Sequence, residues 1–170
     1  IDGRPQAVKN SLSYTLQRLG VDYIDLYQPA RVDPTVPIEE TVGAIADMVK
    51  AGYVRQIGLS EAGEETIRRA HAIHPISWLQ IEYSLFSRGI EANILPTLRE
   101  LGISLSAYGV LSRGLLSGAW SKNRKTDVRD FRSYVPRFSG ENLDNNLALV
   151  ESLRALADDK DATVAQMALA

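Results

Sequence analysis

Apolar positions along this chain alternate between helical spacing and short β-favouring runs, and the alternation repeats from end to end. Val8, Leu12, Leu16 and Leu19 recur three or four residues apart, behind Pro5, where a first helical turn tolerates proline; Gly20 supplies the stop. The run from Val21 to Tyr27 predicts a first buried strand, and Pro29, Pro34 and Pro37 mark the loop after it. Ile38, Val42, Ile45 and Val49 then line one face of a second helix. Glu39 and Glu40 stand in its first turn, where the helix dipole favours acids, and Gly52 ends it. Val54 to Leu59 is the second strand, turning at Ser60-Glu61-Ala62-Gly63 into a helix from Glu64 to about Ala72, which Pro75 forbids from continuing. Trp78 to Ile81 is the third strand. Ile94, Leu95, Leu98 and Leu101 define a helix closed by Gly102, and Ile103 to Tyr108 is the fourth strand. A polar segment from Gly109 to about Asn142 exceeds the usual length of a structureless connection, so it is either a functional loop or locally structured. A helix from Leu143 to about Asp159 and the start of another near Thr163 complete the order.

One helix, then strand–helix four times, is the signature of right-handed βαβ crossovers and a parallel sheet. No interdomain linker or low-complexity tract interrupts it, so residues 1–170 are expected to form a single domain. Alternation leaves two architectures open, a (β/α) barrel and a small open sheet of the flavodoxin kind. Long, functional-looking loops after the strands on one side favour the barrel. Either fold places its chemistry beyond the C-terminal ends of the strands.

Composition narrows the partners. A formal net charge of -2 and scattered lysines and arginines give no basic stripe for nucleic acid. The densest basic group, Lys122, Arg124 and Lys125, is interrupted by Asn123 and followed by Asp127, and reads as a solvated loop. No apolar run approaches the roughly 20 residues of a membrane span. The absence of cysteine removes disulfides and thiolate chemistry and fits a reducing compartment, so a cytoplasmic location is expected. His71 and His74 lie three residues apart without a carboxylate or thiolate partner nearby in sequence; surface or packing histidines are the expectation, and no metal site. The chain opens on Ile1-Asp2-Gly3 without a methionine and stops inside an apparent helix, so both ends look cut.

Beyond the first strand stands Gln28-Pro29-Ala30-Arg31-Val32-Asp33-Pro34, beyond the second Ser60-Glu61, at the third Gln80, Glu82 and Tyr83, and beyond the fourth Tyr108-Gly109-Val110-Leu111-Ser112-Arg113-Gly114. Hydroxyls, amides and one aromatic ring on a single rim suit the orientation of a polar ring system and its phosphates better than they suit hydrolysis. The segments Leu19 to Tyr27, Pro37 to Thr41, Gly52 to Ser60, Gln80 to Ser84, and Tyr108 to Leu111 with Arg113 to Gly118 resemble, in order and spacing, those of the aldo-keto reductases. The likeness covers nearly the whole chain.

The resemblance implies an α/β fold, part of a (β/α)8 barrel whose fourth to seventh strands are the four present, with strands 1 to 3 and the strand 8 region absent. It also implies an NADPH-dependent reductase of aldehydes or ketones. Ser60 and Gln80 would hydrogen-bond the nicotinamide carboxamide and Tyr108 would stack on the ring. The main chain around Gly109, Leu111 and Arg113, with the Arg113 side chain, would meet the pyrophosphate, since backbone amides in Gly-containing turns bind anions. Glu61 stands where many relatives carry asparagine. The family's Asp, Tyr and Lys catalytic residues have no counterpart in this chain, and the histidine position falls on Ala30, which can neither donate a hydrogen bond nor carry a proton. Gln28 or Arg31 is then the candidate donor toward substrate; alternatively Arg31 forms a salt bridge with Asp33. Two readings follow. One is a reductase whose isolated 170-residue chain is inactive; the other is a regulatory subunit that binds the cofactor without catalysis.

Overall fold

The computed structural model describes residues 1–124 and 127–170, so Lys125 of the basic group lies outside the described residues. Four strands, β1 (Ile24–Tyr27), β2 (Val54–Ser60), β3 (Ile76–Glu82) and β4 (Ser104–Tyr108), form one sheet in the order β1-β2-β3-β4. The helices α1 (Pro5–Leu19), α2 (Ile38–Lys50), α3 (Glu64–Ile73) and α4 (Ile94–Leu101) precede or join them, and α5 (Gly140–Asp158) and α6 (Val164–Leu169) follow. Pairing is parallel between β1 and β2 and between β2 and β3. An open doubly wound sheet reverses its strand order at a switch point. Here the order never reverses, and α1 packs on α2, α2 on α3 and α3 on α4, so the crossovers wind in one direction. That is the winding of a (β/α)8 barrel, with four of its strands present.

Contacts divide the chain into two compact units, Ile1–Glu82 with Gly89–Ala107, and Tyr83–Arg88 with Tyr108–Ala170. The first unit buries Val8, Leu12, Val42, Ile45 and Ile67 of the helices against Ile57, Leu59 and Leu79 of the sheet. Strand alternation sends Gln56, Gly58 and Ser60 to the opposite face of β2. Register places Leu26 beside Gln56, Trp78 beside Gly58 and Gln80 beside Ser60, so that face is mixed and partly polar.

Two strand starts differ from the sequence expectation by more than one residue. β1 starts at Ile24 rather than Val21, because the Val21 N–H donates to Leu16 O (3.2 Å) in the cap that Gly20, at φ 66°, builds on α1. β3 starts at Ile76, directly after Pro75, with a register shift against β2 between Ile57 and Gly58.

The second unit has its own core. Leu115, Leu116, Trp120, Phe138, Val150, Val164 and Ala168 are buried together, with Leu111, Leu143 and Leu147 packed against them. The long segment after β4 is therefore locally structured, carrying short 3₁₀ turns at Ser112–Ser117, Phe131–Tyr134 and Pro136–Phe138. Trp120 lies tilted against Phe138 (4.6 Å between ring centroids), and the Arg124 and Arg132 guanidinium groups sit 4.7 and 5.0 Å from its ring centroid. Arg124 is exposed and rests on the Trp120 ring.

Candidate functional site

Within the first unit, the ends of β1, β2 and β3 bring four of the sequence-predicted residues together in two pairs. The Gln28 side-chain Nε2 donates to Gln80 Oε1 (3.1 Å), and Arg31 Nη1 donates to Ser60 Oγ (3.1 Å). Ser60 and Gln80 are register partners at the ends of β2 and β3, so their side chains rise on the same face of the sheet. Ser60 is buried and the other three are more accessible, which leaves a hydroxyl and a carboxamide at the mouth of the sheet.

Gly58 makes the Gln28–Gln80 contact possible, and the sequence reading assigned it no role. A Cβ at that position would stand 3.2 Å from Gln28 Oε1, 3.3 Å from Leu26 Cδ1 and 3.4 Å from Gln28 Cβ. A glycine in a strand interior is a signal of close approach, and here the approaching group is Gln28 lying across β2.

Arg31 is not bridged to Asp33. The Asp33 carboxylate is already committed: Oδ2 accepts from Gly3 N (2.8 Å), and Oδ1 accepts from Thr35 N (2.9 Å) and Thr35 Oγ1 (2.6 Å). Those bonds, the Thr35 hydroxyl first, hold the Asp33 carboxyl below the usual carboxylate range. Thr41 Oγ1 donates to Gly3 O (2.7 Å), so one residue stitches the chain start to α2 and to the loop carrying Ala30 and Arg31. Ala30 is exposed at the histidine position and lines a cavity of about 160 Å³ together with Tyr27, Pro29, Arg31, Leu59 and Ser60.

Glu61 has a main-chain role. Its N–H donates to Gln80 O (2.9 Å) and its Oε1 accepts from Glu82 N (3.0 Å), which pins the turn after β2 to β3. It does so at φ 53°, in the left-handed region that asparagine and glycine occupy with less strain.

In the second unit, Tyr108 ends β4, and the Arg113 guanidinium lies over its ring at 5.6 Å from the centroid. The turn between them is strained. Gly109, Ser112, Arg113 and Gly114 all have positive φ, of 67°, 47°, 60° and 100°. Non-glycine residues adopt that region only when their surroundings over-determine it, a condition that clusters at functional sites. The constraints are visible. Ser112 N donates to Gly109 O (2.7 Å), the Ser112 and Ser84 hydroxyls meet at 3.1 Å, Arg132 Nη1 donates to Arg113 O (3.3 Å), and Leu111 is packed against the core. Ser84, Ser112 and Arg132 are supporting residues that the sequence reading missed. A consecutive Ser-Arg-Gly after a strand offers no signal that its first two residues are left-handed.

His71 and His74 are engaged locally. His71 Nδ1 accepts from Ile76 N (3.2 Å), and the His74 ring nitrogen meets Pro75 O at 3.0 Å. Among the described residues no cluster of three potential ligands could hold a metal ion, and no helix is long and apolar enough to cross a membrane.

Four parallel strands alternating with helices, with amide, hydroxyl and guanidinium groups gathered beyond the strand ends, define the class as part of a (β/α)8 barrel. The family model described as the aldo/keto reductase family matches residues 2–170, and the chain belongs to that family. It is 48% identical over its whole length to a probable aldo-keto reductase 1 from Glycine max, covering 49% of that protein. It is 46% identical to the aldo-keto reductase str7 from Strobilurus tenacellus, again over its whole length, covering 52% of that protein. The chain thus spans about half the length of the curated relatives it matches. Among solved structures, the glycerol dehydrogenase of Gluconobacter oxydans superposes with a TM-score of 0.94 at 30% identity, over 98% of this chain and 51% of that one. A thermostable aldo-keto reductase crystallised with the inhibitor epalrestat gives a TM-score of 0.72 at 28% identity, over 96% of this chain and 50% of that one.

Proposed function

We propose that the chain forms the cofactor-side part of an NADPH-dependent reductase that converts aldehydes or ketones to alcohols. The observation that carries this reading is the Ser60–Gln80 pair, side by side at the ends of β2 and β3. A nicotinamide carboxamide presents an acceptor oxygen and two N–H donors, and it needs one partner of each kind. The Ser60 hydroxyl suits the oxygen. Gln80 Oε1 has two lone pairs, and Gln28 occupies one of them, leaving the other for an incoming N–H. The Gln28 contact also fixes the Gln80 amide in the orientation that presents oxygen. In the second unit, Tyr108 offers an aromatic face of the kind that stacks on a nicotinamide ring. The Arg113 side chain and the main chain around Gly109 and Leu111 suit a pyrophosphate, because a positive-φ turn ahead of a cationic side chain is an anion cradle.

NADPH held by Ser60 and Gln80 would supply a hydride for the carbonyl carbon, and the balanced change would be aldehyde plus NADPH plus a proton to alcohol plus NADP+. The proton requires an acid at the carbonyl oxygen. Ala30 has no proton to give, and no residue of this chain matches the family's Asp, Tyr or Lys. The 170-residue chain by itself is therefore expected to bind NADPH and to turn over negligibly. Fluorescence titration with NADPH tests the first half. Saturable binding weakened by Ser60→Ala and by Gln80→Ala is expected, and absence of binding overturns the assignment. Oxidation of NADPH by 4-nitrobenzaldehyde above a protein-free control would overturn the second half.

Ala30 favours a second reading, a regulatory subunit that binds the cofactor without reducing a substrate. The two readings part on the rest of the barrel. A tyrosine after its second strand and a lysine ending its third support the enzyme, and loss of either supports the regulatory subunit.

A further inference from the structure

We infer that Glu61 is a positioning residue for the carboxamide pair, acting through Gln80 rather than by touching the cofactor. The inference rests on the reading of Ser60 and Gln80 as nicotinamide partners, while its geometry comes from the ends of β2 and β3. In a parallel ladder each residue bonds to the two residues that flank its neighbour. Its N–H donates to one and its carbonyl accepts from the other. β2 ends at Ser60, yet the ladder runs one residue further. The Glu61 N–H donates to Gln80 O (2.9 Å), as it would in a continuing strand. At φ 53° the Glu61 main chain then leaves the extended conformation. The Glu82 N–H, which the carbonyl of a continuing strand would accept, donates instead to Glu61 Oε1 (3.0 Å). A side-chain oxygen has taken the place of the main-chain acceptor.

These two bonds grip β3 on either side of Ile81, one at the Gln80 carbonyl and one at the Glu82 amide. Gln80 is the register partner of Ser60, and Gln28 holds its side chain from the other direction (3.1 Å). Ser60 is buried and fixed, whereas Gln80 is partly accessible near the end of its strand, so the spacing of the pair depends on how firmly β3 is held there. Without the Glu61 carboxylate the pairing frays from Glu82 inward, and Gln80 is the first site residue that the fraying reaches. The turn itself does not need a glutamate. A left-handed φ strains any residue with a Cβ, and glycine would make the same turn without that strain. The strained residue therefore serves the neighbouring amide and not the turn.

The test measures NADPH affinity by fluorescence titration and Tm by circular dichroism on the 170-residue chain. Glu61→Gly removes the acceptor and the strain together. Its Tm should stay at or above the parent's while NADPH binds about threefold to tenfold more weakly, the loss of one well-placed hydrogen bond. Glu61→Gln carries an acceptor of the same reach and should restore parental affinity. In Gln80→Ala, which has no amide left to position, Glu61→Gly should weaken NADPH no further. Undiminished affinity in Glu61→Gly, no restoration by Glu61→Gln, or a full additional loss on the Gln80→Ala background overturns the inference. A Tm that falls in step with affinity makes the residue structural and overturns it as well. A parent chain that binds no NADPH removes the carboxamide reading and this inference with it; a parent that binds while Glu61→Gly is unchanged removes this inference alone.

Discussion

Adding a single methyl group at Gly3 should destabilise the protein, and adding one at Gly43 should stabilise it. Gly3 is buried, its N–H donates to Asp33, and its carbonyl accepts from Thr41. A Cβ there would lie 2.8 Å from Asp33 Cβ and 2.9 Å from Thr41 Oγ1, closer than non-bonded atoms allow. Neither neighbour can swing aside cheaply, since Asp33 is locked by Thr35 and Thr41 is buried on α2. The backbone must shift, and overpacking of this kind costs about 1–3 kcal/mol. Gly43 lies inside α2 with no atom within 4 Å of a built Cβ, so Gly43→Ala gains the helix preference of alanine, about 1 kcal/mol. For a domain of this size 1 kcal/mol moves Tm by roughly 2–4 °C. Circular dichroism melts should therefore show Gly3→Ala lower by about 2–12 °C and Gly43→Ala higher by about 2–4 °C. A Gly3→Ala protein melting at or above the parent would refute the stitch between the chain start, Asp33 and the Arg31 loop.

Gly58→Ala should act on the site rather than on the fold. The new methyl pushes Gln28 away from Gln80, so NADPH affinity should fall about tenfold while Tm moves little; unchanged affinity would show that the Gln28–Gln80 contact does not orient the amide. Stability should be flat across neutral pH and decline in acid. Arg4, chiefly through its side-chain hydrogen bond, lowers Asp2 to about 2, while Arg69 lowers Glu39, Arg68 lowers Glu100 and Arg132 lowers Asp130 in the same way. Groups whose folded pKa is depressed stabilise the fold fully above their unfolded values, near 4, and lose that contribution as pH falls through the folded values. Tm should thus drop between about pH 4 and pH 2. A Tm that rises on acidification across that window would contradict the ion pairs.

Helices were legible because their apolar spacing is redundant. Val42 and Ile45 of α2 are fully buried on the face their spacing marks. Strand ends were less legible, since Val21 and Tyr23 have β-favouring side chains, yet the Val21 N–H is consumed by the cap of α1. At the site, Ser60 and Gln80 could be picked out because Ser60 ends β2, Gln80 lies near the end of β3, and the family resemblance gave both a role. Their partners could not. Gln28 meets Gln80 from 52 residues away and Arg31 meets Ser60 from 29 away, distances over which only the register of β1, β2 and β3 decides contact. Whether Arg31 pairs with Asp33 stayed open for the same reason. The residue that takes Asp33 Oδ2 is Gly3, 30 positions earlier, whose amide carries no sequence signature.

The most direct measurement is an NADPH titration followed through the side-chain amide signals of Gln80, Gln28 and Gln56 in a ¹H–¹⁵N spectrum. Gln56 lies on the same strand and face as Ser60 but toward the other end of β2, so it serves as an internal control. If the ends of β2 and β3 hold the carboxamide, the Gln80 and Gln28 signals shift together, saturate at one Kd and lose that response in Ser60→Ala, while Gln56 stays still. Saturable NADPH binding that leaves Gln80 and Gln28 unmoved would place the nicotinamide elsewhere and contradict the account.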